Sequence, residues 1–227
     1  MKYMQEHYGS GFIISGESGL SSIRSAGVDY LPFTSWGGET NPEKSLYSFK
    51  DIFKWLRTSE FTEKGYKWIG IDSLTELSDL SYKHAEEQAM LDAQKQGKKQ
   101  PNGFEVWANH GAQMIGACKA IRDMQMHVIV TALAKENVDE NGNNEYWPMV
   151  AGKSTMQQLP GIFDCVFCGV RASVEQDGRQ KVLRYLISDE VRGWHGKVRD
   201  EHHVIQPIEK TGNLVELLAR LDEADKK

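Results

Sequence analysis

Residues 67–77 read Lys67-Trp68-Ile69-Gly70-Ile71-Asp72-Ser73-Leu74-Thr75-Glu76-Leu77. An apolar run of strand length ends on an acid and a hydroxyl, and a helical pattern begins at once. A strand buried on both faces reads as a continuous apolar run, as in a parallel sheet covered by helices. The same pattern recurs on either side. Upstream, residues 11–15 (GFIIS) form a short buried strand followed by the glycine-rich turn Gly16-Glu17-Ser18-Gly19. Downstream, residues 127–133 (HVIVTAL) form a second core strand. Strands alternating with helical stretches predict βαβ units, hence an α/β fold with a mainly parallel sheet.

The remaining segments fill in that plan. Residues 28–33 are a strand that Pro32 confines to an edge or an end. Leu46, Phe49, Phe53 and Leu56 stand at helical spacing and predict an amphipathic helix over 45–57, while 21–26 suit one or two helical turns. Residues 74–96 and 104–124 are two helices joined by a polar, basic loop ending in Pro101-Asn102-Gly103. Asn141-Gly142 marks a hairpin within 135–148, and Asp177-Gly178 marks another between strands at 163–172 and 181–187. A helix over 213–221 closes the chain. No repeat or low-complexity linker interrupts residues 1–227, which predicts a single domain.

Composition narrows the classes. With 40% hydrophobic and 26% charged residues the chain is globular rather than disordered. No apolar run approaches the roughly 20 residues that span a bilayer, so a soluble, cytoplasmic protein is expected. A net charge of −5 means that nucleic acid must be met by a local basic patch. Three cysteines fit a reducing compartment. Cys165 and Cys168 form a C-x-x-C inside what reads as a strand, where positions i and i+3 face opposite ways, so buried core cysteines are expected.

Chemistry concentrates at strand ends. An acid at the C-terminal end of a parallel strand lies at the crevice where α/β proteins bind ligands. Asp72 there suits the Walker B position, which holds the water shell of Mg²⁺ in nucleoside triphosphatases. Asp72 or Ser73 is equally suited to capping the following helix. Glu17, just past the first strand, faces the same crevice if the two strands are neighbours. There it is a candidate general base, or else a solvated turn residue. The phosphate cradle of such enzymes, G-x-x-x-x-G-K-[ST], does not occur in these 227 residues. Gly16 to Ser22 lacks the lysine, and Gly152-Lys153-Ser154 lacks the earlier glycine and follows a hairpin. Lys197 and Arg199 alternate on an extended segment and can reach one phosphate together, or are simply exposed. Lys95, Lys98 and Lys99 make the best local patch for a phosphodiester backbone, or a solvated surface.

Several of these segments, in order, resemble the RecA-type recombinase core beginning after its P-loop helix. They are closest to the phage-encoded Sak-type nucleotide-binding proteins. The resemblance is carried by Phe12-Ile13-Ile14-Ser15-Gly16-Glu17-Ser18-Gly19-Leu20, Asp72-Ser73-Leu74-Thr75-Glu76, residues 128–132, residues 148–153, Phe163-Asp164 and Lys197-x-Arg199. It implies a RecA-like P-loop NTPase fold missing its first strand and P-loop, truncated at its N-terminus relative to the family. It implies ATP and Mg²⁺ as cofactors, with Glu17 catalytic and Asp72 on the Mg²⁺ side. Ser73, Thr131 (standing for the sensor), Lys197 and Arg199 would contact nucleotide, the basic pair across a subunit interface. Residues 95–103 and 135–150 would be the two DNA-binding loops, although Glu136, Asp139, Glu140 and Glu145 weaken the second.

The function implied is ATP-dependent single-strand annealing or recombination in the bacterial host cytoplasm, encoded by a phage. Single-stranded DNA, a homo-oligomer, and a partner recombinase or single-strand-binding protein are the implied partners. The chain by itself is expected to be a weak or inactive ATPase. One alternative is a non-enzymatic accessory protein that binds DNA or a partner recombinase. A nuclease using Asp72 and Glu76 is a third, with no further acid cluster to support it.

Overall fold

The computed structural model describes residues 1–17, 26–176 and 178–226. The proposed turn over 21–26 and the glycine-rich turn beyond Glu17 lie largely outside them. The chain divides into two compact units, Met1–Leu133 with Pro148–Gln158, and Ala134–Trp147 with Leu159–Lys227.

In the first unit α1 (Lys2–Tyr8) leads into β1 (Gly11–Ser15), β2 (Asp29–Pro32), α2 (Phe49–Trp55) and α3 (Ser59–Glu63). Then come β3 (Trp68–Asp72), α4 (Leu74–Lys95), α5 (Gly103–Arg122) and β4 (His127–Val130). The sheet order is β2-β1-β3-β4, and every pairing is parallel, as the alternating pattern predicts. β1 and β3 are buried almost throughout, which explains their unbroken apolar runs. Trp68 has no exposed surface and lies where a Cβ on Gly11 would stand, 2.0 Å from the indole. Only glycine fits beside that ring. The indole N–H donates to the Gly9 carbonyl at 2.9 Å, so its one polar atom is satisfied inside the core.

α4 buries Leu74, Leu77, Ser78, Ser81, Ala85, Ala89 and Ala93, and α5 buries Val106, His110, Met114, Cys118 and Ile121. Both stripes follow the helical repeat. The small residues on α4 admit Val106, while Tyr82 packs over Ala85 and Ala89.

Three sequence expectations need correction. The helix expected from residue 45 starts at Phe49, because residues 41–46 close a separate turn in which Asn41 and Leu46 pair. Leu46 is accordingly exposed. The strand at 127–133 is half-buried rather than core, since β4 ends the sheet order and pairs only with β3 among the described strands. The strand expected over 163–172 breaks at Phe167, and its two parts join different sheets.

In the second unit β5 (Ala134–Val138) and β6 (Asn144–Pro148) flank the Asn141-Gly142 turn; α6 (Lys153–Ile162), which follows, belongs to the first unit as far as Gln158 and to the second from Leu159. The Asp139 carboxylate organises that turn by accepting the backbone N–H groups of Asn141 and Asn143, both at 2.8 Å. β7 (Cys165–Val166), β8 (Cys168–Gln176), β9 (Arg179–Ile187), β10 (Glu190–Val191), β11 (Trp194–His195), β12 (Lys197–Val198), β13 (Ile208–Glu209) and α7 (Leu214–Ala224) complete the unit. β8 and β9 form the second expected hairpin, antiparallel from Cys168↔Ile187 to Gln176↔Arg179. β13 pairs on the far side of β9, β12 pairs with β7, and β10, β11, β6 and β5 form a fourth sheet. Because the chain breaks at Phe167, Cys165 and Cys168 are half-buried free thiols rather than two positions of one core strand. Burial raises both thiol pKa values, that of Cys168 to about 11, which keeps them protonated and poor nucleophiles.

Candidate active site at the strand ends

The C-terminal ends of β1, β3 and β4 bring Glu17, Asp72, Ser73 and Thr131 together. β1 and β3 are adjacent, with Ser15 opposite Asp72, and the ladder extends one step further as the Gly16 N–H donates to the Asp72 carbonyl at 2.7 Å. Glu17 therefore emerges beside the Asp72-Ser73 corner, as expected for neighbouring strands. The Asp72–Ser73 peptide bond is cis. The Ser73 hydroxyl donates to the Glu17 carboxylate at 2.5 Å and accepts the Glu76 N–H at 3.4 Å. One side chain thus caps α4 and orients the candidate base.

Asp72 is free of capping. Its Oδ1 accepts the Thr131 hydroxyl at 2.6 Å. Thr131 is held in turn by its own N–H, which donates to the Ile71 carbonyl at 3.0 Å, and by its carbonyl, which accepts the Leu74 N–H at 2.8 Å. Of the two residues the sequence offers as a cap, the serine is the one that caps α4, and the aspartate does not.

Behind this corner the Ser15 hydroxyl is buried without a hydrogen-bond partner among the described residues. Orphaned buried hydroxyls are uncommon, and this one stands in register with Asp72. Mg²⁺ prefers one or two carboxylates and water, with remaining positions filled by substrate phosphates. Asp72, with the hydroxyls of Thr131 and Ser15 beside it, fits that donor chemistry. The residues that cradle phosphate in such sites have no G-x-x-x-x-G-K-[ST] counterpart among these 227 residues.

A buried polar network supports the site from the side. His110 is fully buried on α5; its Nε2–H donates to the Ala151 carbonyl at 3.1 Å, and its Nδ1 lies 3.1 Å from the Ser81 hydroxyl. The Ala151 N–H donates to Ser78 Oγ at 2.8 Å. Both peptide groups of the segment entering α6 are thereby fixed to the α4–α5 pair. Burial lowers the His110 pKa, outweighing the Ala151 carbonyl and Asp79, which favour the charged form. Sequence reading missed this network. Its only trace is two serines lying within the buried stripe of α4.

Lys197 and Arg199 belong to the second unit. The Lys197 ammonium donates to the Pro160 carbonyl at 3.1 Å, at the C-terminal end of α6. Burial lowers its pKa, and the neighbouring Arg199 charge adds to the shift. Arg199 pairs with Asp164 at 2.7 Å. The pair does sit together, but each cation has a local partner. In the first unit Lys95 pairs with Asp92 at 2.8 Å, Lys98 reaches the Gln96 amide oxygen at 2.7 Å, and Lys99 projects freely. No group of three or more His, Cys, Asp or Glu side chains among the described residues is arranged for direct metal ligation.

Acids and hydroxyls converging at the ends of adjacent parallel strands define a nucleotide-binding type of α/β site. A family model described as an AAA domain matches residues 4–199. The chain therefore belongs to the AAA domain family, within the P-loop, AAA-like ATPases, for which ATP and Mg²⁺ are the implied cofactors. No curated protein matches the chain.

Proposed function

We propose that this chain is a RecA-like, ATP-binding protein of the phage Sak type that acts in single-strand DNA annealing or recombination. One observation carries the reading: Glu17 and Asp72 stand on adjacent strand ends, each hydrogen-bonded to its own hydroxyl, from Ser73 and Thr131. Glu17 would orient and deprotonate the attacking water, and Ser73 aims its carboxylate. Asp72 would hold the water shell of Mg²⁺, with Thr131 fixing its rotamer and Ser15 offering a further hydroxyl. Bound Mg²⁺ would neutralise charge on the phosphates. Lys95, Lys98 and Lys99 would contact the DNA backbone, and Lys197 with Arg199 would reach nucleotide in an oligomer.

Phosphoryl transfer depends on positioning and electrostatic stabilisation more than on covalent chemistry. The G-x-x-x-x-G-K-[ST] sequence is not among these 227 residues, so the chain assayed by itself is expected to bind Mg·ATP weakly and turn it over slowly. Titration calorimetry with Mg·ATP, with and without single-stranded DNA, tests this. Turnover on the order of one per second from the purified chain would overturn the expectation of weak activity. Mg·ATP binding that is indifferent to Asp72→Ala would overturn the site assignment. The same sequence feature favours a second reading, an accessory protein that binds DNA or a partner recombinase without nucleotide. Salt-sensitive DNA binding with no response to Mg·ATP under any condition would select it.

A further inference from the structure

We propose that Phe104 and Trp107 form a stacking platform for unpaired nucleic-acid bases, with charge supplied by Lys98 and Lys99 in the loop that leads into α5 and by Lys153 next to Gly152. The proposal rests on the DNA reading of the lysine loop and specifies the ligand chemistry: single strands, held by base stacking as well as by charge.

The core face of α5 is complete without these two rings, since Val106, His110, Met114, Cys118 and Ile121 fill it. Phe104 is 88% exposed in the first turn of that helix, and Trp107 is 47% exposed. Residues three apart on a helix share a surface, with Cβ atoms about 5–6 Å apart, so both side chains rise from the same face of α5. They differ in support. Trp107 packs at a tilt on Tyr82, with ring centroids 4.6 Å apart, and a Cβ placed on Gly152 would lie 3.5 Å from the indole. Its position is therefore fixed between α4 and the start of α6, while Phe104 stands free at the edge.

Lysines precede the rings in the loop before α5 and follow Gly152 at the start of α6, while Asp79 acts on His110 behind Trp107. Lys99 and Lys153 have no acidic partner among the described residues, and Lys98 reaches only an amide oxygen. Glu105 is the closest acid in sequence, but it lies about 100° round the helix from Phe104. Exposed aromatic faces beside unpaired ammonium groups suit a strand whose bases are unstacked and whose phosphates lie alongside. Every base offers a π-face, so such binding tolerates any sequence. A duplex hides those faces and would meet only the lysines.

The test uses the whole chain and a labelled oligothymidine about 20 nucleotides long, beyond the roughly 4–16 nucleotides of a single binding module. Affinity is read by anisotropy across a salt series, against a duplex of the same length. Phe104→Ala is expected to weaken oligothymidine binding about 5- to 150-fold while leaving the salt slope unchanged. Trp107→Phe should retain most of the affinity that Trp107→Ala loses. Lys98→Ala with Lys99→Ala should lower the salt slope by about 1–2. Wild-type affinity in both ring-to-alanine variants, with the lysine effect intact, would overturn the platform and leave the lysine-loop reading standing. Failure of the wild-type chain to bind oligothymidine would overturn both. Preference for the duplex would overturn the platform, as would loss of self-association in Phe104→Ala at unchanged oligothymidine affinity.

Discussion

The two units hold their polar groups in opposite ways. At the end of the parallel sheet, Glu17 and Asp72 each accept one hydroxyl from an adjacent segment, and the buried strands β1 and β3 fix where the acids emerge. In the second unit, Arg199 and Asp164 meet through side chains that are both mostly exposed, at the margin of a two-stranded ladder. Lys197 has settled on the carbonyls at the end of α6. The acids are oriented by architecture and the cations by local pairing. Preorganised groups of the first kind lose little to reorganisation when charge develops nearby, whereas paired surface cations must exchange a partner before they can serve a ligand.

Perturbing the core should separate the units most. Trp68→Ala removes a fully buried indole and its bond to Gly9, and should cost about 3–5 kcal/mol of stability by urea unfolding. Val182→Ala on β9 changes a side chain that is mostly exposed, and should fall within about 0.5 kcal/mol of wild type. Equal costs would erase the distinction between a packed parallel sheet and a solvated hairpin.

The buried network should respond next, and to acid. His110→Ala empties a fully buried site and strands the Ala151 carbonyl, while Ser81 keeps its bond to Gln113, at a cost of about 2–4 kcal/mol. Burial lowers the His110 pKa in the fold from 6.5, so the unfolded chain takes up its proton first as pH falls. The stability linked to this group is complete above about pH 6.5 and is lost as pH falls from there through the folded value. His110→Gln offers an amide donor and no titration. Its thermal midpoint should therefore drop less between about pH 7 and 5 than that of wild type. His84 is lowered in the same sense but is common to both proteins. Parallel midpoint curves would show that His110 is not the acid-sensitive group.

Much of the first unit was legible because its signals are continuous. Unbroken apolar runs give β1 and β3, and Asp72-Ser73 gives both the strand end and the cap. Other features depend on partners far away in sequence. Leu46 keeps helical spacing with Phe49 and Phe53, yet Asn41 draws it into a turn. The 163–172 run looks like one strand, but Val166 pairs with Lys197 while Cys168 pairs with Ile187. Ser78 and His110 look like ordinary polar residues until Ala151, some seventy and forty positions on, supplies the groups they bind. Chain pattern reveals periodicity; it does not reveal which distant peptide a buried hydroxyl will meet.

Ser73 and Arg199 bring the comparison to its finest point. Ser73→Ala deletes an N-cap and the hydroxyl that orients Glu17, and should cost about 1–2 kcal/mol. Arg199→Ala removes an equally short contact, 2.7 Å long, but both partners are mostly solvated and the expected cost is about 0–1 kcal/mol. Salt separates them further, because screening weakens the exposed pair and barely touches a bond between a serine and a carboxylate held by adjacent strand ends. Raising ionic strength to about 1 M, where the Debye length is near 3 Å, should abolish the Arg199→Ala effect and leave that of Ser73→Ala largely intact. If the Arg199→Ala penalty survived high salt, Asp164 and Arg199 would have to be bonded as firmly as the strand-end acids. The second unit would then hold Arg199 on Asp164 as a fixed structural pair, and the guanidinium would be still less free to reach an anion.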